Sequence, residues 1–281
     1  MKGEITKILS RIDESFSPGN SGDYDLFMQA GEKEFSYCIL DCLKNKFLVL
    51  ESFVCDELIP ESLKQIPLLQ NDYHMIRFMT VNNRSTLIPE LLFEPSEQEL
   101  YLKFSKNPEV NENARSDRIG HLGIINVYYS NAGLLNSFPG NSLSPEIFHL
   151  TTALIESIWA NYKNQIHDDH IFVHFRENYF DLLVFDRKQL KYCNSFMIKA
   201  PEDLVYYLIF VMEQLDLNPE ESEVTLLGAI DKASPGYDLV SKYIRNLHFL
   251  SRNDSYSYSY VFDDLPGHYY FPLLNLGLCG S

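Results

Sequence analysis

Cationic side chains are scarce in this 281-residue chain: 23 Lys and Arg stand against 39 Asp and Glu, for a formal net charge of −16. A field of that sign repels phosphate backbones and anionic headgroups, so nucleic acid and membrane surfaces are excluded as expected partners. No apolar run approaches the roughly 20 residues needed to cross a bilayer. Met1–Ile5 lacks the apolar stretch of a secretory leader, so no membrane insertion is expected and the expected compartment is the cytoplasm. Cysteine is sparse and odd in number (Cys38, Cys42, Cys55, Cys193 and Cys279) without paired spacing, which reads as reduced thiols rather than a disulfide framework. The P-loop, Gly-x-Ser-x-Gly and Gly-x-Gly-x-x-Gly motifs are missing, which removes the commonest sequence signatures of phosphate and acyl chemistry.

Aromatic residues, by contrast, are abundant, with 19 Phe and 18 Tyr. Rings suit a pleated, half-buried surface, so sheet is favoured over helix bundle. The most informative feature is a weak internal repeat. Leu26–Asp41 aligns without gaps on Ile171–Asp186, sharing Phe27/Phe172, Glu32/Glu177, Phe35/Phe180 and Asp41/Asp186. A two-residue gap brings Ser52-Phe53 over Ser195-Phe196, and a second brings Pro60-Glu61-Ser62-Leu63 over Pro201-Glu202-Asp203-Leu204.

Apolar alternation predicts strands at 24–30, 34–42 and 46–54, joined by short polar turns and therefore antiparallel. Pro60 opens a short helix and His74–Val81 reads as a fourth strand. From His170 the pattern returns, with strands at 170–175, 179–186 and 189–198, a helix at 201–215, and a strand at Val224–Ile230. Ser234-Pro235 then starts a helix before a strand at Leu247–Leu250. Residues 1–22 read as a short helical start and a flexible lead-in. Ser85–Phe93 reads as a strand turning helical at Pro89, Pro95–Phe104 as a helix, Asn107–Asp117 as an exposed loop, and Ile119–Tyr129 as a strand. Ser144, Pro145 and Glu146 carry helix-start chemistry, predicting a helix over Pro145–Asn164. The alternating Tyr256, Tyr258 and Tyr260 suit one face of a strand, and His268–Leu278 a last edge strand. The fold class expected is mixed α/β (α+β), with two duplicated lobes at 23–166 and 167–281.

Three antiparallel strands followed by helix, strand, helix, strand is the order of the ribonuclease-H-like lobe. Together with Ser85-Thr86-Leu87-Ile88-Pro89-Glu90-Leu91-Leu92-Phe93 and the second set of hairpins, the chain resembles an uncharacterised bacterial family. That family is known only as a domain of unknown function with an actin-like ATPase fold. The resemblance implies two ribonuclease-H-like lobes with a cleft where relatives bind ATP. In active relatives the hairpin between the first two strands of each lobe carries Asp-x-Gly: the Asp organises Mg²⁺, and the Gly lets backbone N–H groups approach phosphate.

Here the first hairpin, Gln29-Ala30-Gly31-Glu32-Lys33-Glu34, keeps Gly31 without a preceding Asp. The second, His174-Phe175-Arg176-Glu177-Asn178-Tyr179, has neither. No catalytic residue is therefore assigned. The residues expected to mark a vestigial nucleotide site are Gly31, Glu177, Gly228, Asp231 and Ser234, with Gly228 the most ligand-like position. The bland reading of Gly228 is a strand-to-helix turn that needs a small residue. His170 and His174, beside His167-Asp168-Asp169, have metal-like spacing but no further donors adjoin them, so no metal site is expected. His149 reads as a packed or capping residue rather than a base. No cofactor is expected, with ATP and Mg²⁺ as the alternative. The expected role is a non-catalytic interaction or scaffold module whose partner is another protein. The alternative is an ATP-binding enzyme, ATPase or small-molecule kinase, with a non-standard site between the lobes.

Overall fold

Short polar turns, residues 31–33 and 42–45, build the first meander from β2 (Tyr24–Ala30), β3 (Glu34–Asp41) and β4 (Lys46–Cys55), and β1 (Ile5–Ile12) adds to the outer side of β4. The computed structural model describes residues 5–103, 111–135 and 144–280. It divides into two compact units, one of residues 1–157, 254–264 and 272–281, the other of 158–253 and 265–271. This differs from the boundaries expected from sequence, 23–166 and 167–281, chiefly because most of the tail returns to the first unit.

In the first unit, α1 (Pro60–Lys64) carries the chain from β4 to β5 (Met75–Thr80), which lies parallel to β2. Parallel neighbours need such a crossover, because a hairpin can only reverse the chain. The insertion that follows forms a separate three-stranded sheet of β6 (Ser85–Pro89), β7 (Glu112–Ile119) and β8 (Ile124–Asn131), with the short α2 (Gln98–Tyr101) between β6 and β7. After α3 (Ala132–Leu135), the chain rejoins the main sheet as β9 (Glu146–His149), parallel to β5, and continues as α4 (Leu150–Tyr162). The main sheet runs β1-β4-β3-β2-β5-β9.

In the second unit β10 (Asp169–Phe175), β11 (Tyr179–Asp186) and β12 (Gln189–Met197) form the meander. There α5 (Pro201–Gln214) leads to β13 (Glu223–Gly228), and α6 (Pro235–Val240) leads to β14 (Asn246–Phe249). The sheet order is β12-β11-β10-β13-β14, the same order as β4-β3-β2-β5-β9. The correspondence extends to register. Ala30 pairs with Phe35 as Phe175 pairs with Phe180, and Tyr24 with Asp41 as Asp169 with Asp186. The third strand bulges at Ile39/Leu40 in one sheet and at Val184/Phe185 in the other, equivalent positions in the ungapped alignment. Ser52 opposes Ser36 as Ser195 opposes Asp181, which places the two-residue gap inside the second turn. Two duplicated ribonuclease-H-like lobes are thus present.

Each lobe packs helix on sheet. In the second, Leu204, Leu208, Val211 and Met212 of α5 lie on Ile171, Val173, Leu182 and Val224. In the first, Leu63, Ile66 and Leu69 cover Leu26, Met28, Ile39 and Phe78.

Several expectations are corrected. Residues 5–12 form β1 on β4, with Ile5 opposite Cys55 and Ile12 opposite Val49, rather than a helical start and flexible lead-in. Glu146–His149 is a strand, so the predicted helix at Pro145 begins only at Leu150. Pairing with Arg77–Thr80 and the Arg77–Glu146 ion pair at 2.8 Å override the helix-start chemistry. The His149 ring caps that helix, its Nδ1 accepting from the Thr151 N–H at 3.1 Å. Glu112–Asp117, expected in a loop, belongs to β7, and residues 107–110 of that loop lie outside the described residues. The strand expected at Ile119–Tyr129 begins only at Ile124, after a 3₁₀ turn at Gly120–Leu122. The helices expected at Pro89 and Pro95–Phe104 shrink to 3₁₀ turns and the four-residue α2, and Phe104 lies outside the described residues. The tail makes no edge strand. It ends in α7 (Phe271–Leu274) and a 3₁₀ turn whose Leu273, Leu274 and Leu276 are buried. Tyr258 does fall in a short strand, β15 (Ser257–Tyr258), paired with Lys46–Phe47.

Leu208 is 1% exposed at the centre of the second core. Leu208→Ala should cost about 2–5 kcal/mol through lost burial and the cavity left behind, read as a lowered urea midpoint at unchanged slope.

Candidate functional site

Three loops hold the residues singled out from sequence: the β2–β3 turn, the β10–β11 turn and the segment after β13. In the first turn the Gly31 N–H donates to Glu34 O at 2.9 Å. Its tip is tied to the chain beyond β4, as Cys55 N–H donates to Lys33 O at 2.8 Å and Leu58 N–H to Glu32 O at 3.1 Å. A Cβ on Gly31 would meet nothing nearer than 3.9 Å, so neither sterics nor backbone conformation demands glycine there.

The second turn is built alike: Arg176 N–H donates to Tyr179 O at 2.9 Å and Ile198 N–H to Asn178 O at 2.9 Å. Where the first lobe has Gly31, this one has Arg176. Its guanidinium folds back onto Asp181 through Nη2–Oδ1 at 2.7 Å and Nε–Oδ2 at 3.0 Å. His174 Nδ1 lies 2.9 Å from Asp181 Oδ2, and Ser195 Oγ donates to Asp181 Oδ1 at 2.5 Å. Burial alone would raise the Asp181 carboxyl, but the charge of Arg176 and the hydrogen bond from His174 hold it well below the usual range. Arg176 is consumed within the lobe, and Glu177 stands exposed at the tip.

Gly228 ends β13 with φ +86°, and a Cβ there would lie 2.3 Å from Phe175 O and 3.0 Å from the His174 ring. The structure thus brings Gly228 against the base of the second hairpin, while Glu177 points away at its tip. Gly228 N–H donates to His268 O at 2.9 Å, Ala229 N–H to Phe175 O at 3.0 Å, and Ile230 N–H to Gly228 O at 2.9 Å. Asp231 N–H donates to Ser234 Oγ at 3.0 Å, Ala233 N–H to Asp231 Oδ1 at 2.8 Å, and Ser234 N–H to Asp231 O at 3.1 Å. Six donors that could face an anion are therefore already turned inward. The Asp231 carboxylate also accepts from Ser234 Oγ at 3.1 Å, so a negative group already lies among these donors. The His268 ring seals the back of the loop, its Nε2 2.7 Å from Ile230 O and its face stacked on Phe249.

His170 and His174 do not form a pair. His170 Nε2 meets Thr225 Oγ1 at 2.8 Å and its ring stacks on Phe172, where burial lowers its pKa to about 4. His174 is committed to Asp181. A different group converges in the first lobe: Asp25, Cys42 and His74 place one donor atom each within 4.8 Å of the others. Sequence reading missed it because 25, 42 and 74 share no motif spacing. The Asp181 knot was equally hidden, although its donors sit inside the β10–β11 hairpin and across the bulged ladder.

Gly228→Ala should cost about 2–4 kcal/mol, since it combines a left-handed backbone with a clash against backbone oxygen. Gly31→Ala should stay within about 0.5 kcal/mol, and the two midpoints in urea provide the check. Arg176→Gln should cost about 1–3 kcal/mol by leaving the buried Asp181 carboxylate with fewer hydrogen-bond partners. Asp181 has a depressed native pKa, so its contribution is present above about pH 4 and fades as pH falls through the native value. With Arg176 replaced, that native value rises and acid unfolding should begin at higher pH.

A solved protein of unknown function from Bacteroides thetaiotaomicron, described as having an actin-like ATPase fold, superposes with TM-score 0.73 at 22% identity, over 84% of this chain and 93% of that one. A chain of the PilM–PilN type IV pilus biogenesis complex superposes with TM-score 0.56 at 12% identity, over 90% and 97%. No curated protein sequence matches the chain. A family model described as "Protein of unknown function (DUF3822)" matches residues 13–247. The chain belongs to that family, and its fold is that of the actin-like ATPases.

Proposed function

We propose that this protein is a non-catalytic user of the actin-like architecture, a module that acts by binding another protein in the cytoplasm. The observation that supports it most is the closed loop at Gly228–Ser234: its donors are spent internally and the Asp231 carboxylate lies among them. Arg176, standing where glycine would admit a phosphate, is spent on Asp181. Opening either arrangement for a nucleotide would expose unpaired groups, at a cost of about 1–3 kcal/mol each.

Surface chemistry supports a protein partner. Leu91 and Leu92, in the turn after β6, are 99% and 70% exposed, and adjacent exposed leucines suit apolar contact. The net charge of −16 disfavours nucleic acid and anionic lipid. Among the described residues no helix is long and apolar enough to cross a membrane. The structurally similar PilM is itself found in a complex with the protein PilN.

Thermal unfolding with and without Mg-ATP tests the reading. A ligand at 100 times its Kd stabilises by about 2.7 kcal/mol. We expect no change in Tm at millimolar Mg-ATP. A rise of several degrees would overturn the proposal in favour of an ATP-binding enzyme, ATPase or small-molecule kinase, with a non-standard site.

A further inference from the structure

At the end of the first sheet opposite the β2–β3 turn, three chemically different donors meet. Asp25 lies in β2 beside Leu40 of β3 and Met75 of β5, and is 7% exposed. Cys42 follows β3 directly, its N–H donating to Asp23 O at 3.1 Å. His74 precedes β5, its N–H donating to Tyr24 O at 2.9 Å. Sheet hydrogen bonds thus fix the backbone at all three positions before any ligand arrives. His74 Nδ1 is 2.8 Å from Asp25 Oδ1 and 3.9 Å from Cys42 Sγ, which also lies 3.9 Å from Leu40 O.

This is not a nucleophilic triad. In such a triad the imidazole bridges thiol and carboxylate through opposite nitrogens, whereas here the same nitrogen faces both. The thiol is also poorly suited to attack. Cys42 is exposed and beside the Asp25 carboxylate, a negative neighbour that disfavours a bare thiolate.

We propose that Asp25, Cys42 and His74 form a binding site for a divalent transition-metal ion of the zinc type. The donor set commits to this class. Thiolate and imidazole select Zn²⁺ and its neighbours over Mg²⁺ or Ca²⁺, which want oxygen ligands alone. Three protein ligands leave a fourth tetrahedral position for water or for a group from another molecule. The three donor atoms need only small side-chain shifts, since metal–ligand distances of about 2.0–2.3 Å set donors slightly more than 3 Å apart. On binding, the Cys42 proton passes to solvent and the sulfur–metal bond forms without any redox change.

The test is metal titration of the full chain under reducing conditions, with Zn²⁺ competed against a chromophoric chelator and Co²⁺ as a spectroscopic probe. One Zn²⁺ per chain is expected. Co²⁺ should give a thiolate charge-transfer band and intense tetrahedral visible bands. Cys42→Ser should abolish the charge-transfer band, and His74→Ala should weaken Zn²⁺ binding by more than about a hundredfold, beyond the roughly 10–100-fold that loss of an outer-shell partner costs. The His74 side chain is 63% exposed, so that variant should fold normally. Absence of tight Zn²⁺ binding would overturn the proposal. So would binding that both variants leave unchanged, since Cys55 or Cys193 would then be responsible.

Discussion

Each lobe depends on the parallel seam between its first and fourth strands, β2 with β5 and β10 with β13. The antiparallel meander on one side can form from local turns, but the seam requires a crossover helix to carry the chain back over the sheet. The end of the seam is closed identically in both lobes. Val81 N–H donates to Ala30 O at 2.8 Å, and Ala229 N–H donates to Phe175 O at 3.0 Å. In each lobe that bond ties the loop after the fourth strand to the base of the first hairpin.

The meanders were legible because strand alternation has a period of two and the turns are short. Both faces of these strands are buried, so a slip of one residue would exchange Leu26, Met28, Phe35 and Ile39 with Phe27, Cys38 and Leu40 and misfit two cores at once. That is why a repeat with few identities aligns the two hairpins residue for residue, down to the bulge at Ile39 and Val184. What remained illegible depends on long-range pairing. Glu146–His149 carries helix-start residues in front of it and becomes a strand only because Arg77–Thr80, far back in the chain, offers an open edge. Ile5–Ile12 likewise needs the free side of β4, and the tail from Asp254 is drawn back by Asn45 and Phe47.

The candidate sites follow the same division. Gly228, Asp231 and Ser234 were visible as a turn entering a helix, and they do form one hydrogen-bonded loop. Their chemistry was not visible, since it depends on whether the N–H groups face outward or, as here, into the loop. Asp25, Cys42 and His74 meet through ladder positions alone, and no spacing in the chain announces them.

Comparing equivalent positions shows how differently the two lobes stabilise the same hairpin. Ser36 and Ser52 form a neutral cross-strand pair at 2.8 Å in the first lobe. In the second, Asp181 replaces Ser36 opposite Ser195, placing a carboxylate in a buried position that a hydroxyl alone cannot neutralise. The positions flanking the hairpin then supply the missing charge and donors: Arg176 in place of Gly31, and His174 in place of Gln29. The three replacements are physically interdependent, because Arg176 without Asp181 would leave a cation in a half-buried turn and Asp181 without Arg176 an uncompensated anion. A hairpin locked in this way gains a fixed conformation.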